Sequence, residues 1–494
     1  MAPRRPTPLV RAGRWARRAA FLVHRWLGIG IGLLLAVWAL SGLVMMYVAF
    51  PETTTQERLA GLAPLDAREC CVDVAARLGS GPIDAASVEM LAGRPVLRLT
   101  DAAGPALIDL ATGATPQIDV PMARAIAATH ISHTTGTEPG ITVEPITRDQ
   151  WTVYGQFRRH QPLYRAQVAD EAGTTLYVSG LTGEVVQDTT RHERFWNWLG
   201  SVPHWLYFTA LREIQPLWYN LVVYASVLGI FLTVTGLYIG LRQYGRGRSR
   251  TPYRGLNAWH HWTGLVFGIF TLTWVASGLL SMQPWGLLES EGPAAERAAL
   301  QGRPMTGTDA AALVAALPSA GDRPTVNLQL AVQQGQPLAL AADAHGATWR
   351  ATLPTLALRP LDNTALAQLG AIARPGVPIA SQGLIRTGDA YHYAHKTDAV
   401  LPAWRVIYAD AEATRLYFDP RTGEGIRKVD AAARSYRWLF NGFHRLDFTG
   451  LLRTRPLWDI VTLPLMLGVS LLCVIGCWLG WRRVMRPRRR SRPA

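Results

Sequence analysis

Four stretches of this chain, at 27–50, 217–241, 259–283 and 457–481, stay apolar for the roughly 20 residues that a helix needs to cross a bilayer. Basic residues mark their ends. Seven Arg fall in the first 25 residues, five between Arg242 and Arg254, and seven from Arg482 to Arg492, with no acidic residue in any of these segments. Removing these 19 charges from the formal +15 leaves the remainder slightly negative. The excess is therefore a positive-inside signature rather than a basic surface, which argues against nucleic acid as a partner. The expected topology has cytoplasmic segments at 1–26, 242–258 and 482–494. Two long segments, 51–200 with 201–216 and 284–440 with 441–456, then face the periplasm. The first apolar stretch is too long for a cleaved signal, and "MMYVAFPE" offers no small-x-small cleavage site. A retained anchor in a bacterial inner membrane is expected.

The chain is also written twice. Shifted by 236, "VHRWLGIGIGLLLAVWALSGL" (23–43) lies over "WHHWTGLVFGIFTLTWVASGL" (259–279), placing His24 on His260, Trp38 on Trp274 and Ser41-Gly42 on Ser277-Gly278. Shifted by 240, "NWLGSVPHWLYF" lies over "RWLFNGFHRLDF", placing His204 on His444. The same shift sets "PLYRAQVADEAGTTLYVSGLTGEVV" (162–186) over "PAWRVIYADAEATRLYFDPRTGEGI" (402–426). Each copy runs helix in, outward segment, helix out, so the two are parallel repeats. The fold class expected is an integral membrane bundle of four transmembrane helices, built from two parallel repeats, with α/β domains outside. Short alternating runs such as "LYRAQVAD" and "TRLYFDP" predict strands, and "TDAAALVAAL" (308–317) and "NTALAQLGAIA" (363–373) predict covering helices. "PVLRLTDAAGPALIDLATG" (95–113) predicts a further strand unit in the first outward segment.

The repeat singles out four histidines. His24 and His260 stand where helices leave the cytoplasm, and His204 and His444 stand shortly before the outer ends of the second and fourth helices. If the copies are related by an axis along the membrane normal, His24 faces His260 and His204 faces His444. Facing imidazoles in a helical bundle are how such bundles hold a b-type haem, and two of them fill both axial positions of the iron. Two bis-histidine haems b, one near each surface, are expected. Gly28 with Gly32, and Gly264 with Gly268, clear one helix face for a macrocycle or for a second backbone.

Other histidines carry less. His261 is an alternative to His260 as ligand, matched in the first copy by Arg25. His130 with His133, and His392 with His395, sit three apart and read as surface or turn residues. Trp198, Trp218, Trp438 and Trp458 read as interface anchors. Cys70 and Cys71 are adjacent, where a relaxed disulfide is rare, and Cys473 and Cys477 lie one turn apart. No CxxCH is present, which excludes covalent c-type haem. No GxGxxG stands between a strand and a helix, so any electron donor is a separate molecule.

The set "HRWLG…LSG", the "WL-x4-H" before the second helix, and "YFDPRTGE" resembles the PepSY-associated transmembrane family, from about residue 20 to 483. That resemblance implies PepSY-like periplasmic domains and haem ligation by His24, His204, His260 and His444. It also implies electron transfer from quinol or a cytoplasmic reductase to a periplasmic ferric chelate, as in siderophore reductases. Arg158, Arg159 and Arg405 are candidates to attract an anionic chelate. Two departures stand out: the outward segments are large, and "QLAVQQGQPLALAADAHGATWRATL" (329–353) matches poorly. The rivals are a membrane-tethered PepSY binding or regulatory protein, such as a peptidase modulator, which needs none of the four histidines, and a transporter.

Overall fold

A computed structural model describes residues 8–485 except 69, 247–249 and 394–398, without the side chains of 8–14 and 321–322. The chain divides into two compact units. One comprises Met1–Phe50, Phe195–Glu289 and Ala432–Ala494, and the other Pro51–Arg194 and Ser290–Ala431.

The first unit is helical. Its long helices are α1 (Pro8–Met45), α2 (Gln215–Gln243), α3 (Leu256–Ser281) and α4 (Leu457–Val484). All four are long and apolar enough to cross a membrane. Helix α1 runs straight through the basic leader, so His24 sits inside it rather than before it. Hydroxyls within these helices return their protons to the preceding turn. Ser41 donates to the Val37 carbonyl at 2.6 Å, Ser277 to Thr273 at 2.6 Å and Thr233 to Gly229 at 2.8 Å. Such internal satisfaction is what an apolar surround requires of a polar side chain. Helix α1 packs on α2 and α4, and α3 packs on the same two, so α1 and α3 occupy opposite corners of a four-helix ring.

The second unit is β-rich, and it joins what the sequence divides. A six-stranded antiparallel sheet runs Thr348–Thr352, Gln336–Asp343, Thr325–Gln333, Ala85–Leu91, Arg94–Asp101, Gly104–Asp109. Three strands come from each of the segments expected to form separate domains at 51–200 and 284–440. The junction pairs Leu328 with Val88, residues 240 apart. The poorly matching stretch 329–353 thus belongs to the same sheet as the hairpin predicted at 95–113, with Ala85–Leu91 between them. Local alternation shows which face a strand buries but not which strand lies beside it.

Two four-stranded meanders complete this unit. Ile141–Ile146, Leu163–Val168, Thr175–Ser179 and Val185–Thr189 form one, and Ile379–Ile385, Ala403–Tyr408, Arg415–Phe418 and Gly425–Val429 the other. Helix Val120–Thr135 closes the first over Ile126, Ala127, Ala166 and Val178, and helix Asn363–Ala373 closes the second over Leu366, Leu369, Val406 and Phe418. Asp119 and Asp362 cap these helices by accepting from the Met122 and Ala365 amides. Cys70 and Cys71 are joined as a disulfide, while Cys473 and Cys477 are free thiols.

Candidate functional site

The helical unit brings the four histidines together in two pairs. The His24 and His260 ring centres lie 6.2 Å apart, and those of His204 and His444 lie 6.3 Å apart. Two imidazoles sharing one metal ion, each nitrogen about 2 Å from it, have ring centres roughly 6 Å apart. Both pairs are spaced for an ion between them.

His24 projects from α1 towards α2, where its Nδ1–H donates to the Leu232 carbonyl at 3.0 Å. His260 projects from α3 towards α4, and the backbone group its Nδ1 meets is the Leu472 carbonyl, 240 residues after Leu232, though without a well-formed hydrogen bond. Close approach of these rings needs glycine on the facing helix. A Cβ built on Gly236 would fall 2.7 Å from His24 Cε1, and one on Gly476 would fall 3.0 Å from His260 Cε1.

His204 and His444 sit on short helices, Ser201–Trp205 and Phe443–Arg445. Each helix is ended by a leucine in the left-handed region, Leu206 (φ 53°) and Leu446 (φ 54°). The indole N–H of Trp218 donates to the Trp205 carbonyl at 2.8 Å, and that of Trp458 to the Arg445 carbonyl at 2.7 Å. These two tryptophans, expected as interface anchors, therefore pin the histidine-bearing turns. His204 Nδ1–H is shared between Ser41 Oγ and the Trp38 carbonyl, both at 3.1 Å. His444 Nδ1–H is shared between Ser277 Oγ at 3.1 Å and the Trp274 carbonyl at 3.2 Å. Gly42 and Gly278 stand against these rings, each with a built Cβ 3.5 Å from the imidazole Cε1.

With Nδ1 turned to a carbonyl, the free lone pair belongs to Nε2, and no described residue hydrogen-bonds Nε2 in any of the four. A second-shell carbonyl on the far nitrogen is the arrangement that fixes a metal-binding imidazole in the right tautomer. Burial lowers His204 to about 4, and burial with the nearby His204 ring and Arg445 lowers His444 to about 3. Both rings are neutral near pH 7, as a metal ligand must be.

His261 has no lone pair to spare. Its Nε2–H donates to the Gly240 carbonyl and its Nδ1 accepts from Thr251 Oγ1, both at 2.9 Å. His260 is the one that faces His24.

Around His24 and His260 opens a cavity of about 490 Å³, within the range of small-molecule sites. Eight of its lining residues are glycines: Gly28, Gly32, Gly236, Gly240, Gly264, Gly268, Gly476 and Gly480. They form four pairs under the repeat shifts, and Gly236, Gly240, Gly476 and Gly480 stand outside the motifs around His24 and His260, with no local signal of their own. Built Cβ atoms on Gly32 would meet nothing within 4 Å, and those on Gly28 and Gly264 only a leucine methyl at 3.8 and 3.7 Å. Gly268 differs, pressed by Leu237 at 2.7 Å, and serves helix packing. An apolar cavity walled by glycine, with two imidazoles whose Nε2 atoms carry no hydrogen bond, fits an iron porphyrin. Among the described residues no group of three or more His, Cys, Asp or Glu gathers to hold a bare metal ion.

The remaining candidates do not converge. His130 and His392, expected at the surface or in turns, are instead buried: His130 lies in helix Val120–Thr135 against Gly61, while His133 is exposed. His392 stacks on Tyr417 at 4.9 Å and donates to the Val400 carbonyl at 2.9 Å, while His395 lies outside the described residues. Arg158 and Arg159 are exposed, and Arg405 is bound to Asp389 at 2.9 Å.

The family model described as "PepSY-associated TM region" matches residues 21–483. No curated protein matches the chain.

Proposed function

We propose, for a chain that belongs to the PepSY-associated TM family, that it is a membrane electron-transfer protein carrying two bis-histidine haems b. Its substrate is a ferric chelate in the periplasm, and its electrons come from quinol or a cytoplasmic reductase. The observation that carries this reading is the pair of histidine pairs, at 6.2 and 6.3 Å, with the His24, His204 and His444 rings each held by a hydrogen bond from Nδ1. His24 with His260 would hold one haem, and His204 with His444 the other.

When bound, the group supplies reversible one-electron chemistry at a low reorganisation cost. The chain does the rest. Two imidazoles per haem, His24 with His260 and His204 with His444, would supply its protein ligands, which would favour electron transfer over oxygen activation. The carbonyls of Leu232, Trp38 and Trp274 fix the ring planes and raise ligand basicity. Arg17, Arg18, Arg25, Arg242, Arg482 and Arg483 all lie on the His24–His260 ends of their helices, which supports placing that end in the cytoplasm. The other pair would then face the periplasm. Ferric iron binds hard oxygen ligands tightly, and one electron converts it to ferrous iron, which those ligands hold far less well. Reduction thus releases the metal.

The test is the colour of the purified full-length protein. Two haems per chain, a Soret band that shifts with dithionite, and reoxidation by ferric citrate are expected. A colourless protein made with ample haem would leave the tethered PepSY binding protein as the better reading.

A further inference from the structure

The cavity around His24 and His260 is apolar along its walls, yet three guanidinium-bearing residues line it: Arg25 on α1, next to His24, and Arg482 and Arg483 in the last turn of α4. No aspartate or glutamate lines it. The chain offers none nearby, because 1–26, 242–258 and 482–494 contain no acidic residue. None of the three is ion-paired to a described residue. A glycine-walled slot with two imidazoles and three unpaired cations at one end calls for a flat apolar body carrying anionic groups along one edge.

Resting on the haem reading above, we infer that Arg25, Arg482 and Arg483 hold the propionate carboxylates of the macrocycle bound by His24 and His260. Guanidinium is suited to this, since its planar fork meets a carboxylate through two charge-assisted hydrogen bonds. The carboxylate edge then points to the basic end, and the cations fix which way round the macrocycle enters. Position 25 is also where the two copies part: the first has Arg25 and the second His261, whose nitrogens are both engaged by protein. Phospholipid phosphate offers the same oxyanion chemistry to the same cations, so the test must separate the two sources.

The experiment uses full-length protein in phosphatidylcholine nanodiscs, in a His204→Ala background where only this pair remains. Haem b and its dimethyl ester, which lacks the two charges, are titrated into protein made without haem. The expected result is at least tenfold weaker binding of the ester. The triple variant Arg25→Gln, Arg482→Gln, Arg483→Gln binds both forms alike, as weakly as the parent binds the ester, and lysine at the three positions restores most of the difference. The midpoint potential of the bound haem falls in the glutamine variant, because cations near the ring favour its reduced form. Equal binding of haem and ester by the parent, or discrimination that survives the triple substitution, overturns the inference. So does an effect of the three substitutions that appears only when phosphatidylglycerol is added, which assigns the cations to headgroups. If the parent takes up no haem, the ligand reading fails with it. Normal uptake with indifferent arginines fails this inference alone.

Discussion

Gly236 and Gly476 are where a single methyl group decides whether a facing imidazole has room. Alanine in a helix interior is ordinarily better than glycine by about 1 kcal/mol. Here the new Cβ would overlap an imidazole at 2.7 or 3.0 Å, and the ring cannot retreat without losing its place opposite its partner. Overpacking of this kind costs about 1–3 kcal/mol. Gly236→Ala and Gly476→Ala are therefore expected to lose the haem of the His24–His260 pair while keeping the other. Haem quantification per chain should fall by about half in each. Gly30→Ala, with nothing within 4 Å of its built Cβ, is the neutral control. In the β-rich unit, His130 gives a second prediction. Burial lowers it to about 4, with Glu57 opposing and His133 adding to the shift. The folded state thus binds fewer protons than the unfolded chain between about pH 6.5 and 4, so stability present above pH 6.5 is lost as pH falls through that window, by up to about 3 kcal/mol. His130→Gln should flatten this dependence. Hydrogen exchange of helix Val120–Thr135 at pH 7 and pH 4.5, in the parent and the variant, reads the difference.

Elements were legible where burial is one-sided, and partnerships between them were not. The strand Leu163–Val168 and the helix Asn363–Ala373 could be read from alternation and from an alanine-rich run because each buries one face. The facing of His24 with His260 and of His204 with His444 could be read because aligning the chain on itself marks positions that local context leaves ordinary. Nothing local says that Thr325–Gln333 lies beside Ala85–Leu91, since both bury apolar side chains and would accept other neighbours. Nor does the sequence show that Trp218 and Trp458 hold the histidine turns, because an indole suits a membrane interface equally well. Glu89 is what fastens the unforeseen strand pair. It is buried, accepts from Arg58 and Arg98 at 2.6 Å each, and accepts from Asn327 of the neighbouring strand at 2.7 Å. Glu89→Ala strands Arg98, itself only 7% exposed, and breaking a buried pair in this way costs about 3–5 kcal/mol. Denaturant unfolding of the full chain should show that loss in the β-rich unit. Replacing Arg98 together with Glu89 by methionines should recover part of it, because no charge is then left without a partner.

Across the whole molecule, each of three central pairings takes one residue from each half of the chain. Val88 lies opposite Leu328, His204 opposite His444 and His24 opposite His260, at offsets of 240, 240 and 236. Neither half holds a complete histidine pair, so the substitutions must combine in a particular way. Residues that act as a unit are non-additive, since removing either one removes what both supply. His24→Ala and His260→Ala should each lose the same haem, and the double variant should lose no more than either alone. The same holds for His204→Ala with His444→Ala. Combining His24→Ala with His204→Ala should instead remove both haems, because these two residues of one half serve different pairs. Spectra of the reduced protein distinguish the haems if their α-bands or potentials differ, and counting haem per chain suffices if they do not. Should His24→Ala and His204→Ala delete the same haem, ligands would pair within a half rather than across halves. The 6.2 and 6.3 Å separations would then have nothing to do with iron.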